Sequence, residues 1–200
     1  MKEDFILLFY KKEVPKYLIL TTNILILLYT ISLIYFIFFG QSFQIVPCFC
    51  SLMITLFIKF ATKKFINVIS PILIFSILIF TLFSSYLGSC FDFYGIVNHY
   101  DDIMHSLSGV LAVLFAYDAL VLLNSNSNTM IDRKVIIVFT FCFSMAIAGL
   151  WEISEFLIDS FLGTNMQVGG LADTMHDMID AFIASIITIP LYELFYKKYK

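Results

Sequence analysis

The residues best suited to chemistry are acidic and histidine side chains that recur at helical spacing in three parts of the chain. The segment 171–195 reads LADTMHDMIDAFIASIITIPLYELF and carries four titratable residues in its first turns: Asp173, His176, Asp177 and Asp180. Two earlier segments carry further acidic and histidine residues: Asp101, Asp102 and His105 in the first, and Glu152, Glu155 and Asp159 in the second, where Trp151 precedes Glu152. Histidine nitrogens with carboxylate oxygens are ligands for Zn²⁺, Mn²⁺ or Fe²⁺, whereas carboxylates alone suit Mg²⁺ or Ca²⁺.

The spacing of these residues places them on common helix faces. Side chains that are four residues apart lie on the same face, one turn apart, and can offer two ligands together. Three pairs have this spacing: Asp101 with His105, Asp173 with Asp177, and His176 with Asp180. Each polar stripe leads into small residues, which let membrane helices approach closely: Gly109, Ala112, Ala148, Gly149, Ala181 and Ala184. The pattern predicts three packed helices around one acidic cavity in which both His105 and His176 are buried.

Three interpretations of this cavity remain open: a divalent-metal site, a hydrated polar cluster, and a cation or proton pathway. In the first, it is a divalent-metal site (Zn, Mn, Fe or Mg) with these candidate ligands: Asp101, His105, Asp173, His176, Asp177 and Asp180. The candidate catalytic carboxylates are then Glu152 and Glu155, and the other polar site residues are Asp102, Asp159 and Trp151. In the second, the cluster is hydrated and binds no metal, with Asp173 as a first-turn acid favoured by the helix dipole. Trp151 is also typical of an anchor at the membrane interface.

The elements that must position these residues are membrane-spanning helices. Hydrophobic residues make up 60% of the 200 positions and charged residues only 14%, and the mean hydropathy is +0.94. Several apolar runs exceed the roughly 18 residues that indicate a spanning helix. We therefore predict an all-α, polytopic membrane helical bundle with six spans, at about 17–39, 43–60, 66–87, 102–123, 135–157 and 172–195. We expect one integral membrane domain over 1–200, in which 1–94 form a scaffold and 95–200 carry the polar site.

The charge distribution predicts the orientation. With six spans, every Lys and Arg falls on the side of the two termini, which the positive-inside rule assigns to the cytoplasm. The loops 88–101 and 158–171, on the other side, contain no Lys or Arg. We therefore expect a location in the cytoplasmic membrane, with the acidic cavity facing outward. An acidic face of this kind does not favour nucleic acid as a partner.

An ionised carboxylate near the centre of a bilayer costs about 2.5–3.5 kcal/mol on the insertion scale. The segments that carry the acidic residues offer no Lys or Arg to neutralise them. Protonation, a water-filled cavity and a bound cation are the three ways in which this cost can be reduced.

Three segments resemble a known family. YDDIMHSLSG (100–109), GLWEISEFLID (149–159) and DTMHDM (173–178) are similar to the uncharacterised bacterial inner-membrane proteins typified by YjdF. The resemblance covers about 95–190 and implies these site positions: Tyr100, Asp101, His105, Gly109, Trp151, Glu152, Glu155, Asp173, Thr174, Asp177 and Met178. A more distant likeness is to VanZ-like proteins, which are associated with glycopeptide resistance. Both resemblances imply a topology and a site but no reaction.

Three functions fit these observations. One is a divalent-metal-dependent hydrolase acting on a lipid or cell-envelope precursor, with His105 and Asp177 as ligands and Glu152 or Glu155 as general base. The second is a non-enzymatic lipid-binding or envelope-maintenance protein whose polar cleft holds a lipid headgroup. The third is a cation or proton pathway, which the sequence favours less because Asp118 is the only acidic residue that we assign to the inner half of the spans. The sequence does not indicate an oligomeric state.

Overall fold

The structure is a computed structural model that describes residues 13–65, 69–125 and 131–198. The regular elements in these ranges are all helical. Four of the basic residues used to predict the orientation lie outside the described residues: Lys2, Lys11, Lys12 and Lys200.

The helices follow the predicted apolar runs, except that the third span, predicted from residue 66, begins at Pro71, and residues 66–68 lie outside the described residues. They are α1 (Lys16–Phe39), α2 (Ser42–Phe65), α3 (Pro71–Thr81), α4 (Phe93–Ile96), α5 (Tyr100–Ser125), α6 (Arg133–Leu162) and α7 (Leu171–Lys198), and α3 continues as a π-helical segment, Leu82–Cys90. Within the described residues, five stretches are long and apolar enough to cross a membrane: Lys16–Phe39, Ser42–Lys64, Pro71–Cys90, Tyr100–Leu120 and Arg133–Leu162. The predicted fold class, a polytopic helical membrane protein, is confirmed.

The sixth predicted span, 172–195, is the helix α7, which is not among those five stretches. It runs for 28 residues without interruption, including Pro190 in its interior. Its sequence includes Asp173, Asp177, Asp180 and Glu193, which lower its mean hydropathy relative to the other long helices. Two of these acids are buried in the protein, Asp177 with 2% and Glu193 with 7% of its surface exposed. Packing against neighbouring helices, and not hydropathy alone, therefore determines where α7 lies.

The chain divides into two compact units, 1–100 and 101–200. The first contains α1 to α4 around a core that includes Leu25, Tyr29, Cys48 and Leu78. The rings of Tyr29 and Tyr86 lie 4.8 Å apart in this core. The cysteines of the described residues are free, so this unit is held by packing and not by a disulfide.

The second unit, 101–200, contains α5, α6 and α7, which pack through small residues. Ser144 of α6 and Ser185 of α7 have their hydroxyl oxygens 2.6 Å apart, and the Ser144 hydroxyl also donates to the carbonyl oxygen of Gly109 on α5 at 3.3 Å. A Cβ atom placed on Gly109 would lie 2.8 Å from the carbonyl oxygen of Ala181. Gly109 therefore allows close approach at this contact as predicted, whereas Gly149 does not, since a Cβ there would meet only Met178 Cε at 4.0 Å.

The end of this unit where α6 begins contains an ion pair between the buried Glu193 and the half-exposed Arg133. Glu193 accepts a hydrogen bond from the Tyr117 hydroxyl at 3.0 Å and a second one from Nε of Arg133. Asp118, which we expected to be the only acidic residue in the inner half, is itself buried with 6% of its surface exposed. The expectation of a single acidic residue at this end is wrong, because Glu193 lies at the same end as Asp118. Arg133, the first residue of α6, neutralises Glu193.

Candidate metal centre

His105 lies at the centre of the predicted cluster and contacts acids from three helices. Its Nε2 atom is 3.5 Å from Oδ1 of Asp101, one turn earlier on α5, and 3.8 Å from Oδ2 of Asp177 on α7. Its Nδ1 atom is 3.7 Å from Oε1 of Glu152 on α6. Only 5% of the His105 surface is exposed. Both ring nitrogens therefore face carboxylates inside the second unit.

Three of these residues have the geometry of a metal-ligand set. Ligand atoms of Asp101, His105 and Asp177 all lie within 4.8 Å of one another. In a tetrahedral zinc site with bonds of about 2.0–2.2 Å, two ligand atoms are separated by about 3.3–3.6 Å. The measured separations of 3.5 Å and 3.8 Å from Nε2 are close to that range. Small side-chain adjustments would bring all three atoms onto one cation.

Two carboxylates at the cluster have polar atoms without a hydrogen-bond partner among the described residues. They are both oxygens of Glu152 and Oδ2 of Asp177, and these side chains are 5% and 2% exposed. A buried polar atom without a partner costs about 1–3 kcal/mol, and more when it is charged. These oxygens are therefore the atoms that a bound cation or an ordered water would stabilise most.

A second group of acids lies against the first. Ligand atoms of Asp102, Asp177 and Asp180 also lie within 4.8 Å of one another. Asp101 and Asp102 are consecutive residues in the first turn of α5, so their side chains leave the helix in different directions. Asp177 belongs to both groups and joins them.

Glu155 has a different environment from Glu152, although both lie on the buried side of α6. The indole N–H of Trp151 donates to Oε1 of Glu155 at 2.7 Å. The Glu155 side chain is buried, whereas Trp151 is 53% exposed. Trp151 therefore orients Glu155 from the exposed face of α6. This role is compatible with the position at the membrane interface that we expected for the indole.

Asp159 organises the loop that joins α6 to α7. Its carboxylate accepts hydrogen bonds from the Thr164 hydroxyl at 2.6 Å, from the Met166 amide at 2.8 Å and from the Gln167 amide at 3.0 Å. Its carbonyl oxygen accepts from the amide of Gly163, whose φ of 66° ends α6 in the left-handed conformation. Asp159 is thus engaged with the loop and lies outside both ligand groups.

His176 and Asp173 are also outside the two groups. His176 is exposed, so the expectation that both histidines of the cluster are buried is wrong. It precedes the buried Asp177 by one residue, and a step of about 100° turns its side chain away from the packed face of α7. Asp173 is half-buried beneath the loop. A Cβ atom placed on Gly169 of that loop would lie 2.9 Å from the Cβ of Asp173.

Gln167 is a site residue that the sequence did not indicate. Its side-chain amide donates to the Thr174 hydroxyl at 2.9 Å and to the Glu152 carbonyl oxygen at 3.4 Å. A single Gln in a loop has no helical period to reveal it. The only signal was its position between Gly163 and the pair Gly169–Gly170, which allow the loop to fold back over the helix ends.

Comparison with known proteins places the chain in a family. Residues 21–198 match the family described as "predicted membrane protein" (DUF2238). The chain belongs to this family, and because YjdF is also a member, the family predicted from the three sequence segments is confirmed. The likeness to VanZ-like proteins remains a prediction. No curated protein and no solved structure matches the chain.

Proposed function

We propose that this protein is a divalent-metal-dependent hydrolase that acts within the membrane on a lipid or cell-envelope precursor. The observation that carries the proposal is the convergence of Nε2 of His105 with carboxylate oxygens of Asp101 and Asp177. One nitrogen and two carboxylate ligands, with room for water in the remaining positions, are typical of hydrolytic rather than structural metal sites.

The roles of the two glutamates differ in this proposal. Glu152 faces Nδ1 of His105, which is the nitrogen that does not face the aspartates. A small side-chain adjustment from the present 3.7 Å would let this carboxylate accept the Nδ1–H hydrogen bond and so present Nε2 to a metal, as carboxylates behind metal-binding histidines do in many sites. Glu152 is therefore proposed as a positioning residue. Glu155, which Trp151 orients, is proposed as the general base.

The proposed reaction is hydrolysis of an ester or phosphoester bond. A bound divalent cation would lower the pKa of its water and stabilise the charge that develops on the substrate oxygen. Glu155 would accept a proton from the attacking water as the water oxygen bonds to the carbonyl carbon or phosphorus. When the bond to the leaving oxygen breaks, Glu155 would return that proton to the departing alcohol.

The surroundings of the cluster support an amphiphilic substrate. On α6, the residues beside Trp151 and Glu152 present large apolar side chains to the exterior: Leu150 at 58%, Ile153 at 55% and Phe156 at 59% exposed. On α7, Ile179 and Ile183 are similarly exposed, at 46% and 48%. Acyl chains would contact these side chains while a polar headgroup reaches the acids.

A non-enzymatic lipid-binding protein is the second candidate function. The unpartnered buried oxygens of Glu152 and Asp177 would be satisfied by the ammonium group of a lipid headgroup as well as by a metal. The two candidates differ in what the purified protein contains: metal in one case, and a stoichiometric amino-lipid without metal in the other.

The test begins with protein purified in mild detergent without chelator. Elemental analysis gives the metal content, and release of water-soluble headgroup or of fatty acid from radiolabelled membrane lipids gives the hydrolytic activity. The proposal expects metal at or above one equivalent and activity that a chelator abolishes and added metal restores. Metal-free protein with a tightly bound amino-lipid and no hydrolysis would instead support the lipid-binding function.

A further inference from the structure

The second unit contains two ligand groups that share one residue, Asp177. Asp101 and His105 lie on one side of it, and Asp102 and Asp180 lie on the other, with all ligand atoms of each group within 4.8 Å of one another. A carboxylate has two oxygens and about four lone-pair directions, so one Asp can bind a cation through each oxygen. The position of Asp177 is that of a bridging ligand.

The burial of Asp177 is an observation independent of the acidic cluster. It is the most deeply buried of the acids at the site, with 2% of its surface exposed, and its Oδ2 atom has no hydrogen-bond partner among the described residues. That oxygen lies 3.8 Å from Nε2 of His105 and therefore points into the first group. A carboxylate buried in this way is stabilised by a nearby positive charge, by a hydrogen-bond donor or by taking up a proton.

The charge around Asp177 exceeds what one divalent cation neutralises. Four aspartates and a glutamate meet here: Asp101, Asp102, Asp177, Asp180 and Glu152. The sequence has no Lys or Arg from residue 101 to 132 or from 135 to 196, and Arg133 is engaged with Glu193. With His105 neutral, as a metal ligand must be, one divalent cation would balance two of these five charges, whereas two divalent cations would balance four.

We infer that the centre binds two divalent cations bridged by Asp177, the first held by Asp101 and His105 and the second by Asp102 and Asp180. The second position offers only carboxylate oxygens, which suits Mg²⁺ or Mn²⁺ better than Zn²⁺. Two-metal hydrolytic sites hold their ions about 3.5–4 Å apart, a separation that one bridging carboxylate can span. This inference rests on the proposed function for its first site and adds a second metal to it.

The experiment is a titration of the full-length, metal-depleted protein in detergent with Mn²⁺ alone, followed by electron paramagnetic resonance and by the bound-metal ratio. Wild-type protein is expected to bind two equivalents and to show the signal of coupled Mn²⁺ ions. Asp180→Asn and Asp102→Asn, each checked for native helix content, are expected to bind one equivalent without the coupled signal. Asp173→Asn is the matched control on the same helix and should still bind two.

One equivalent in the wild type, or two in both Asp102→Asn and Asp180→Asn, would overturn the two-metal inference. These outcomes are distinct from failure of the proposed function. Two equivalents without hydrolysis of any lipid would refute the enzyme and leave the two-metal site standing. Chelator-sensitive hydrolysis by protein that binds only one metal would support the enzyme and refute the two-metal site.

Discussion

Oε1 of Glu152 lies 3.7 Å from Nδ1 of His105, while Nε2 of the same ring faces Asp101 and Asp177. The imidazole is thus held between a carboxylate that can fix its tautomer and two carboxylates that can share a cation with it. This arrangement separates a positioning role from a ligand role, and each role can be tested by substitution.

Glu152→Gln should largely preserve metal binding, because an amide oxygen at this position can face Nδ1 of His105 as the carboxylate oxygen does at 3.7 Å. Glu152→Ala should weaken metal affinity by about 10–100-fold, the usual effect of removing a second-sphere partner. Competition with a fluorescent chelator measures both affinities. Equal loss of affinity in the two variants would contradict the positioning role.

Glu155→Gln is expected to retain metal and to lose most of the hydrolytic activity, by about 10²–10⁴-fold, because the amide cannot accept a proton. Trp151→Phe serves as the companion variant. It removes the indole donor but leaves the carboxylate in place, so a smaller loss of kcat is expected. Full activity in Glu155→Gln, measured at several pH values, would exclude this residue as the base.

Gly109→Ala should destabilise the packing of α5 against α7. The added Cβ would lie 2.8 Å from the carbonyl oxygen of Ala181, and overpacking of this kind typically costs about 1–3 kcal/mol. Gly149→Ala is the matched control, since a Cβ there would meet only Met178 Cε, at 4.0 Å. Thermal unfolding in detergent should show a lower midpoint for Gly109→Ala and little change for Gly149→Ala. Equal unfolding midpoints for the two variants would show that Gly109 does not approach Ala181 closely.

Asp159→Ala should loosen the loop 163–170 because it removes the acceptor of the Thr164, Met166 and Gln167 donors. Limited proteolysis with a protease of broad specificity should cut this loop several times faster in the variant. Ser154→Ala on the same helix is the control, since its hydroxyl donates only to the carbonyl of Leu150 one turn earlier. Unchanged cleavage in Asp159→Ala would mean that other contacts hold the loop.

The sequence predicted the helices and most of the cluster for physical reasons that can be identified. Long apolar runs determine helices in lipid, and repetition at three or four residues placed Asp101 with His105 and Glu152 with Glu155 on common faces. The expectation for His176 failed because spacing within a helix does not say which face packs inward. His176 and Asp177 are adjacent in sequence, and only the contact of α7 with α5 and α6 buries one and exposes the other.

Long-range partners were the part that the sequence could not supply. Gln167 reaches Glu152 across a turn, and Glu193 meets Arg133 from 60 positions away. Neither pair has a periodic signal, because each depends on how separate helices and their loop are placed in space. Polar residues outside helical stripes therefore have to be found from the structure.

Whether the His105 cluster binds metal is measured by the metal content of protein purified in mild detergent, compared between the wild type, His105→Ala and His176→Ala. If the cluster is a metal centre, the wild type and the exposed-histidine variant will both contain divalent metal, and His105→Ala will lose it while keeping its helix content. Wild-type protein that carries no metal, or a His105→Ala variant that carries as much metal as the wild type, would mean that the His105 cluster is not a metal centre.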